Sequence, residues 1–174
     1  DEQHKKYHPD FLNLTTLNRY HDLFLFDTQG NLIYTVAKER DFATNILTGE
    51  WSKTNLAELY RAINDDSQLS KVLINDFNLY EPSENKAASF IGTKVYNKDH
   101  KVIGTLILQM PIEPLNSVMQ VTAGMGESGE TYVVGKDKLM RSDSRFYSVR
   151  SIIRTRVETK SVNAAIRRQT GGPL

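Results

Sequence analysis

The sequence has no cysteine among its 174 residues. This absence excludes disulfide bonds, thiolate metal sites and cysteine nucleophiles together. The chain also lacks any run of the roughly 20 apolar residues that a membrane-spanning helix needs, and it shows no N-terminal secretory signal. Because it begins at Asp1 rather than at Met, we interpret it as an excised fragment, so the missing targeting signals carry no information about location.

The net charge is also small, because 22 Lys and Arg residues nearly balance 21 Asp and Glu residues. The charge is unevenly spread, however: residues 136–174 hold ten basic and three acidic residues, whereas residues 1–135 are acidic overall. A basic segment can contact nucleic acid or anionic lipid, but solvated faces of a second structural unit explain this pattern better. We therefore predict no nucleic-acid partner.

What the sequence does contain is a recurring hairpin pattern. Two runs of β-branched and aromatic residues, in 22–26 and 32–37, flank the polar turn 27–31, where Gly30 can take the positive φ of a tight loop. Related patterns recur at 89–110 and 131–141. Three such hairpins predict an antiparallel sheet with helical excursions rather than a βαβ array.

Four segments show helical spacing. The first, residues 1–20, is expected to be interrupted early by Pro9, and its apolar face is formed by Tyr7, Phe11, Leu14 and Leu17. In the second, Asn55 is the expected N-cap and Glu58 completes a capping box. Two further helices are expected, one with Pro114 in its first turn and one around 162–166. Residues 131–134, 139–142 and 152–157 are expected to be extended.

Several segments resemble the extracytoplasmic Cache (PAS-like) sensor module of bacterial receptors, namely residues 22–36, 38–39, 41–45, 90–92 and 103–111. The most specific part is the run Gly-Met-Gly-Glu-Ser-Gly-Glu-Thr-Tyr-Val-Val-Gly at 124–135, followed by Leu-Met-Arg-Ser-Asp-Ser-Arg at 139–145. It resembles the start of the second, membrane-proximal module of double-Cache proteins, especially methyl-accepting chemotaxis receptors. The resemblance covers most of residues 20–168.

The resemblance implies an α+β fold with a PAS-like central antiparallel sheet of about five strands and flanking helices. The corresponding strands here are Leu23–Phe26, Leu32–Val36, Val72–Leu79, Ser89–Tyr96 and Val102–Met110. It also implies three parts: the end of an N-terminal helix at 1–20, a membrane-distal module at 21–123, and the truncated start of a second, similar module at 124–174.

The function that the resemblance implies is that of a periplasmic sensor domain in an inner-membrane signalling receptor, whose membrane spans lie outside this segment. Such a domain binds a small-molecule metabolite and relays binding as a helix shift. It forms a homodimer through its N-terminal helix, and the expected parent receptor is a chemotaxis transducer. Two alternatives stay open. One is the ectodomain of a sensor histidine kinase or nucleotide-cyclase receptor, and the other is a dimerisation or relay module without direct ligand binding.

The resemblance further implies that a ligand binds between the sheet and the excursion formed by residues 37–71. Pockets for small ligands combine aromatic walls with a few placed charges, so the candidate ligand-binding residues are Trp51, Tyr60, Asp76, Tyr80, Phe90 and Lys94. Strand alternation would place Ile74, Asp76 and Tyr80 on one face. The structural alternative places Tyr60 and Phe90 in the core and makes Asp76 and Lys94 a solvated cross-strand pair.

The sequence does not predict an amino-acid ligand. Amino-acid-sensing members of the family carry an Arg-x-Trp-Tyr signature before a ligand-contacting Asp, and this chain has no such run. A carboxylate or another small metabolite is the expectation, with Lys94 or Arg61 as the counter-charge.

The sequence motifs give little support for a catalytic site, a cofactor site or a metal site. The glycines at 124, 126 and 129 match a dinucleotide-binding spacing, but they follow a predicted helix and precede a predicted strand, so a linker is expected. Ser128 does not complete a Gly-x-Ser-x-Gly motif. His4 and His8 have a metal-ligand spacing, but no third ligand lies nearby and Pro9 disfavours helical geometry at His8. We predict no enzyme activity, no cofactor and no metal site.

Overall fold

The computed structural model of the chain describes residues 2–67 and 71–169, without the side chains of 168 and 169. Residues 68–70, in the predicted excursion, and the C-terminal residues 170–174 lie outside the described part. The chain divides into two units, Asp1–Pro111 and Ile112–Leu174. This division precedes Gly124, the boundary expected from the sequence. The helix before Gly124 is bonded within the second unit, because the side-chain amide of Asn116 donates to Asp143 Oδ2 at 3.0 Å.

In its described residues, the first unit contains two α-helices and an antiparallel sheet. The helices are α1 (Glu2–Asn18) and α2 (Asn55–Asp65). The six strands are β1 (Asp22–Phe26), β2 (Leu32–Thr35), β3 (Leu73–Ile74), β4 (Asn78–Tyr80), β5 (Lys86–Tyr96) and β6 (Val102–Met110). The order is β2-β1-β6-β5-β3, and β4 also pairs with β5. The predicted α+β class with a central antiparallel sheet is confirmed.

The predicted third strand, Val72–Leu79, is two short strands. Ile74 pairs with Ile91 but Asn78 pairs with Ala88, so the three residues 75–77 lie opposite only two residues of β5, 89 and 90. At the break, the Asn75 side chain accepts a hydrogen bond from the Phe90 amide at 2.8 Å and donates to the Asn55 carbonyl at 2.7 Å. A one-residue shift exchanges the two faces of a strand. The predicted common face of Ile74, Asp76 and Tyr80 is therefore wrong.

Helix α1 is continuous through Pro9, so the predicted interruption is wrong. Proline removes one helical hydrogen bond, but contacts with the sheet hold the helix: His8 and Phe11 pack against Tyr34 of β2, with ring centroids at 6.2 and 5.2 Å. Thr15 is buried. Of the predicted apolar face, only Phe11 makes such a ring contact, whereas Tyr7, Leu14 and Leu17 are exposed.

The N-cap of helix α2 is Thr54 rather than the predicted Asn55, which is the first residue of the helix. The Thr54 hydroxyl accepts from the Ala57 amide at 3.3 Å. Asn55 is buried and donates its side-chain amide to the Ala88 carbonyl at 3.0 Å. Asn55 thus fixes the helix against β5, which local spacing in the sequence does not reveal.

The hydrophobic core of the first unit lies between α2 and one face of the sheet, which we call the core face. Leu56, Leu59 and Ile63 of α2 belong to the same buried cluster as Phe24, Phe26 and Ile107 of the sheet. The other members are Leu32, Ile46, Trp51, Ala57, Tyr60, Tyr80, Ala88 and Phe90. Burying large aliphatic and aromatic side chains of this kind is the main stabilising contribution to a fold.

The second unit contains α3 (Glu113–Met119) and α4 (Lys160–Gln169), at the two places where helices were predicted. The predicted strands 131–134 and 139–142 are represented by isolated bridges, one between Val134 and Met140 and one between Leu139 and Arg156. The predicted extension at 152–157 is wrong in its first half, because the Arg154 and Thr155 amides both donate to the Ser151 carbonyl and close a turn.

In the described part of the chain, no helix combines the length and the apolar character needed to cross a membrane.

Candidate functional site

The segment between β2 and α2, residues 36–54, lies over the core face, and we call it the cover segment. Ile46 and Trp51 of this segment are members of the hydrophobic core. Its backbone is fastened to the first hairpin, because the Leu32 amide donates to the Thr44 carbonyl at 2.9 Å and the Ile46 amide to the Gly30 carbonyl at 2.8 Å. The cover segment is therefore an ordered part of the unit.

Three carboxylates, Asp22, Glu39 and Asp41, lie close together beneath and within the cover segment. Asp22 begins β1 on the core face, fully buried, and accepts hydrogen bonds from the Thr35 hydroxyl and from the amides of Val36 and Ala37, both at 2.9 Å. Burial raises the pKa of Asp22 despite these bonds. Asp22 thereby fixes the start of the cover segment against the sheet.

Asp41 is the most perturbed of these acids. One oxygen, Oδ2, accepts a hydrogen bond from the Tyr80 hydroxyl, while Oδ1 is buried without a hydrogen-bond partner. Burial raises the pKa of Asp41 to about 6, and the negative charges of Asp22 and Glu39 add to the rise against the opposing bond from Tyr80. At neutral pH the protein therefore holds a poorly solvated negative charge at this point.

Glu39 takes part in a chain of polar side chains at the end of the sheet. Its carboxylate lies 3.1 Å from His21 Nε2 and accepts from the Ser83 hydroxyl, and Gln109 Nε2 donates to Ser83 Oγ at 3.1 Å. Although burial opposes it, these partners lower the pKa of Glu39, and the bond with Glu39 raises the pKa of His21. Gln109 Oε1 is buried without a partner.

Four of the six predicted ligand-binding residues are in the hydrophobic core, namely Trp51, Tyr60, Tyr80 and Phe90. The Tyr60 hydroxyl donates to the Asp27 carbonyl at 3.0 Å. Tyr80 packs edge-on against Phe90 with ring centroids at 5.0 Å. Trp51 lies beneath the Arg40 guanidinium at 5.1 Å, and its indole Nε1 is buried without an acceptor. Tyr80 thus lies beside the acidic group through its bond to Asp41, and Trp51 lies in the core beside Arg40.

The two predicted charged residues lie elsewhere. Asp76 is exposed in the break between β3 and β4, where its carboxylate accepts from the Phe77 amide at 2.7 Å. Lys94 Nζ donates to the Asp66 carbonyl at 2.6 Å, and the Arg61 guanidinium donates to the Ser52 carbonyl. The sequence did not single out Asp22, Glu39, Asp41 or Gln109. A signal was present, because Asp22 alternates with Phe24 and Phe26, and a polar residue at a core-facing position is unusual.

The opposite side of the sheet, which we call the outer face, has a cavity of about 500 Å³ beside α1. It is lined by Gln3, His4, Tyr7, Phe11, Leu25, Ile33, Tyr34, Lys38 and Phe42. A smaller cavity, about 160 Å³, is lined by Tyr20, Val72, Ile91, Gly92, Thr93, Leu106 and Leu108. The six predicted ligand-binding residues line neither of these two cavities.

His4 and His8 do not form a metal centre with a third ligand: within residues 2–67 and 71–169, no three His, Asp or Glu side chains are grouped to hold an ion. The two imidazole rings instead stack with centroids 4.5 Å apart. His4 Nε2 lies 2.9 Å from Lys38 Nζ, and His8 Nδ1 lies 2.7 Å from the Tyr34 hydroxyl.

No family model and no curated protein matches the sequence. Among solved structures, the chain is similar to the extracellular domain of a protein described as the histidine kinase rpHK1S-Z16, with a TM-score of 0.58 and 13% identity over 77% of this chain and 51% of that one. The ligand-binding domain of the Pseudomonas fluorescens chemoreceptor CtaA, solved with L-serine, gives a TM-score of 0.51 and 14% identity over 78% and 53%.

An extracellular ligand binding receptor from Desulfohalobium retbaense gives a TM-score of 0.52 and 10% identity over 88% of this chain and 24% of that one. The chain thus spans about half the length of the first two of these structures. At such low identity the comparisons show the fold alone. That fold, an α+β sheet with flanking helices, is the one found in extracellular sensor and ligand-binding domains.

Proposed function

We propose that the first unit is the extracytoplasmic sensor domain of a transmembrane receptor and binds a small metabolite beneath the cover segment. The observation that carries this proposal is the pair of unpartnered polar atoms there, Asp41 Oδ1 and Trp51 Nε1. A buried polar group without a hydrogen bond destabilises a protein by about 1–3 kcal/mol. A ligand that donates to Asp41 and accepts from Trp51 would remove this cost.

The charge beneath the cover segment favours a ligand that carries a protonated amine. Asp22, Glu39 and Asp41 would attract an ammonium group and repel a carboxylate placed beside them. Lys94 and Arg61, the counter-charges expected from the sequence, both donate to main-chain carbonyls. The chemoreceptor with this fold was solved with L-serine, which is such an amine. We therefore propose an amine-bearing metabolite in place of a simple carboxylate.

Signal relay would begin at the cover segment. An ammonium group beside Asp41 stabilises the ionised carboxylate, and the Asp22 carboxylate ties residues 36 and 37 to β1. A shift of the cover segment would therefore displace β2, and through the hydrogen bond between Tyr34 of β2 and His8 it would reach α1. The proposed receptor is a chemotaxis transducer. A sensor kinase is the alternative, because a protein described as a histidine kinase has the same fold.

The proposal is tested by thermal shift and calorimetric titration with matched ligands at pH 7.5. L-serine, L-leucine and ethanolamine carry the amine, while glycolate and 4-methylpentanoate lack it. At least one amine is expected to raise the melting temperature of the native chain, and Asp41→Asn should abolish that rise. Asp99→Asn, in the exposed 97–100 turn, is the matched control. If no amine binds, or if Asp41→Asn responds as the native chain does, binding beneath the cover segment is refuted.

The second candidate, dimerisation or relay through α1, is favoured by a different observation. Tyr7, Leu14 and Leu17 form an exposed apolar stripe, and Leu17 is 83% exposed. Stripes of this kind in helices are typical of helix–helix interfaces. Light scattering across a concentration series should reveal a dimer that Leu17→Glu dissociates and that Thr16→Glu, on another side of the helix, leaves intact. A monomer at every concentration would exclude this role for the segment.

A further inference from the structure

We propose a second ligand site on the outer face, in the cavity between α1 and the β1–β2 hairpin, for an amphipathic carboxylate with an aromatic or branched aliphatic body. The cavity volume of about 500 Å³ lies within the roughly 300–1,000 Å³ of small-molecule sites. This site is separate from the one proposed beneath the cover segment, and its nine lining residues do not include Asp22, Glu39, Asp41 or Trp51.

The walls of the cavity are apolar side chains that remain open to solvent. Leu25 and Tyr34 are paired across β1 and β2 on the outer face, and Phe11 packs on the Tyr34 ring at 5.2 Å. Ile33, where the pairing of the two strands is irregular, is 60% exposed, and Phe42 is 40% exposed. A ligand body placed here would bury apolar surface that neither the helix nor the sheet covers, which is favourable.

The polar end of the cavity is positively charged. Lys38 Nζ approaches His4 Nε2 at 2.9 Å. Because an ammonium group can only donate, Nε2 must be the acceptor, and His4 is therefore neutral with its proton on Nδ1. Burial and the Lys38 charge both lower the pKa of His4, in agreement with this assignment. The nine lining residues include no Asp or Glu, so the charge of Lys38 is not offset by a carboxylate in the wall.

The backbone holds Lys38 in this position. Its φ of 53° lies in the left-handed region, which residues with a β-carbon rarely adopt and which clusters at functional sites. The preceding turn is held by Asp22, which bonds the amides of Val36 and Ala37. The Lys38 amide lies 3.4 Å from the Thr35 hydroxyl. A buried carboxylate on the core face therefore supports the turn that places the ammonium group on the outer face.

This chemistry selects an anion with an apolar body. A metal ion or an amine is disfavoured, since Lys38 would repel it and His4 Nε2 already accepts from Lys38. A carboxylate can receive a charge-assisted hydrogen bond from Lys38 while its body lies against Phe11, Ile33 and Phe42. Because those residues belong to α1, β2 and the cover segment, a bound anion would link all three.

The test uses ¹⁹F NMR titration of the chain with 4-fluorophenylacetate, and 4-fluorophenylacetamide as the neutral probe of equal shape. The carboxylate is expected to bind at least about tenfold more tightly than the amide, and Lys38→Met should remove that difference. Lys38→Arg should retain it, and Lys101→Met, in another exposed position, should leave binding unchanged. Ile33→Asp should weaken binding of both probes.

Three outcomes would overturn the proposal: no binding of the carboxylate, equal binding of carboxylate and amide, or full binding by Lys38→Met. Melting curves of each variant check that the fold is retained. Asp41→Asn separates the two sites, because it should abolish amine binding beneath the cover segment and leave carboxylate binding intact. The outer site can therefore fail while the proposed sensor function stands, and the reverse also holds.

Discussion

The two faces of the same sheet differ in what covers them. On the core face, Phe24, Phe26, Ile107 and Phe90 are buried beneath α2 and the cover segment. On the outer face, Ile33 and Ile74 are each 60% exposed, because α1 covers only part of that side. Strand residues of similar hydrophobicity therefore have different roles, and the difference is set by the elements packed on each face rather than by the strands.

Polar groups follow the same division. Beneath and within the cover segment, Asp22 and Asp41 are fully buried and Glu39 is half-buried, and burial raises the pKa of Asp41 to about 6. On the outer face, Lys38 and Tyr34 lie at the rim of an open cavity. A buried charge lowers the stability of the fold because it loses its hydration. An exposed charge keeps its hydration, so it contributes little to stability and acts mainly on a bound ligand. Four experiments follow from this comparison.

The largest difference is expected from one chemical change made on each face. Ile107→Ala removes a fully buried side chain from the core and should lower the free energy of unfolding by about 2–5 kcal/mol. Ile33→Ala, on the outer face, should lower it by less than about 1 kcal/mol, because the side chain is mostly hydrated in the native state. Urea denaturation followed by circular dichroism measures both. Equal losses would contradict the distinction between the faces.

The next effect is the pH dependence of stability due to Asp41. Its pKa is about 6 in the native state and about 3.9 in an unfolded chain, so the native state holds the proton more tightly. The free energy of unfolding should therefore fall as the pH rises from about 4 to about 6, by up to roughly 3 kcal/mol from this group. The neighbouring Asp22, whose pKa is also raised, acts in the same direction.

Asp41→Asn tests that assignment, because it removes the ionisation while keeping an acceptor for the Tyr80 hydroxyl. Denaturation at several pH values between 4 and 7.5 should show a smaller decrease in the variant than in the native chain. Asp99→Asn, on an exposed turn, should leave the native pH profile in place. A variant profile identical to the native one would show that Asp41 is not the titrating group.

A smaller effect is expected from added volume in the centre of the sheet. In Gly92→Ala the new methyl group would lie 2.7 Å from Ile107 Cγ1 and 2.7 Å from the Leu106 carbonyl oxygen. The carbonyl belongs to the neighbouring strand and cannot move aside freely, so overpacking should cost about 1–3 kcal/mol. The melting temperature should fall measurably. An unchanged melting temperature would mean that the core beside β5 and β6 is less tightly packed than the structure indicates.

The smallest effect is expected at Lys38. Its side chain is exposed at the cavity on the outer face, so Lys38→Met should change the free energy of unfolding by no more than about 0.5 kcal/mol. Equilibrium denaturation checks this value. A loss of several kcal/mol would assign Lys38 a structural role and weaken the contrast between the two faces.

The strands of the first unit were predictable where local pattern and tertiary role agree. The segments of β1, β2, β5 and β6 follow from β-branched and aromatic runs bounded by polar turns. The break at Asn75 did not follow, because its cause is a set of hydrogen bonds to Phe90 and Asn55, far along the chain. The cap of α2 was misassigned for the same reason, because the Asn55 side chain donates a hydrogen bond to the Ala88 carbonyl of β5 and Thr54 caps the helix.

The candidate site was predictable in part. Aromatic composition led to Trp51 in the excursion, Tyr80 in β4 and Phe90 in β5, which lie on the core side. It gave no means of separating core packing from ligand contact. The acids Asp22, Glu39 and Asp41 come together only because β1 and the cover segment are brought into contact. Burial raises the pKa values of Asp22 and Asp41, whereas the bonds of Glu39 to His21 and Ser83 lower its pKa against the effect of burial. A linear sequence specifies neither the burial nor these long-range partners.

The sequence by itself determined the antiparallel hairpins, the amphipathic α2 and the absence of cysteine chemistry, because alternation, turn residues and composition are local properties. Only the tertiary structure decided which face of the sheet is covered, where Asp41 loses its solvent and where Lys38 meets His4. These are consequences of long-range packing, in which burial and the hydrogen bonds available to a group depend on residues remote in the chain.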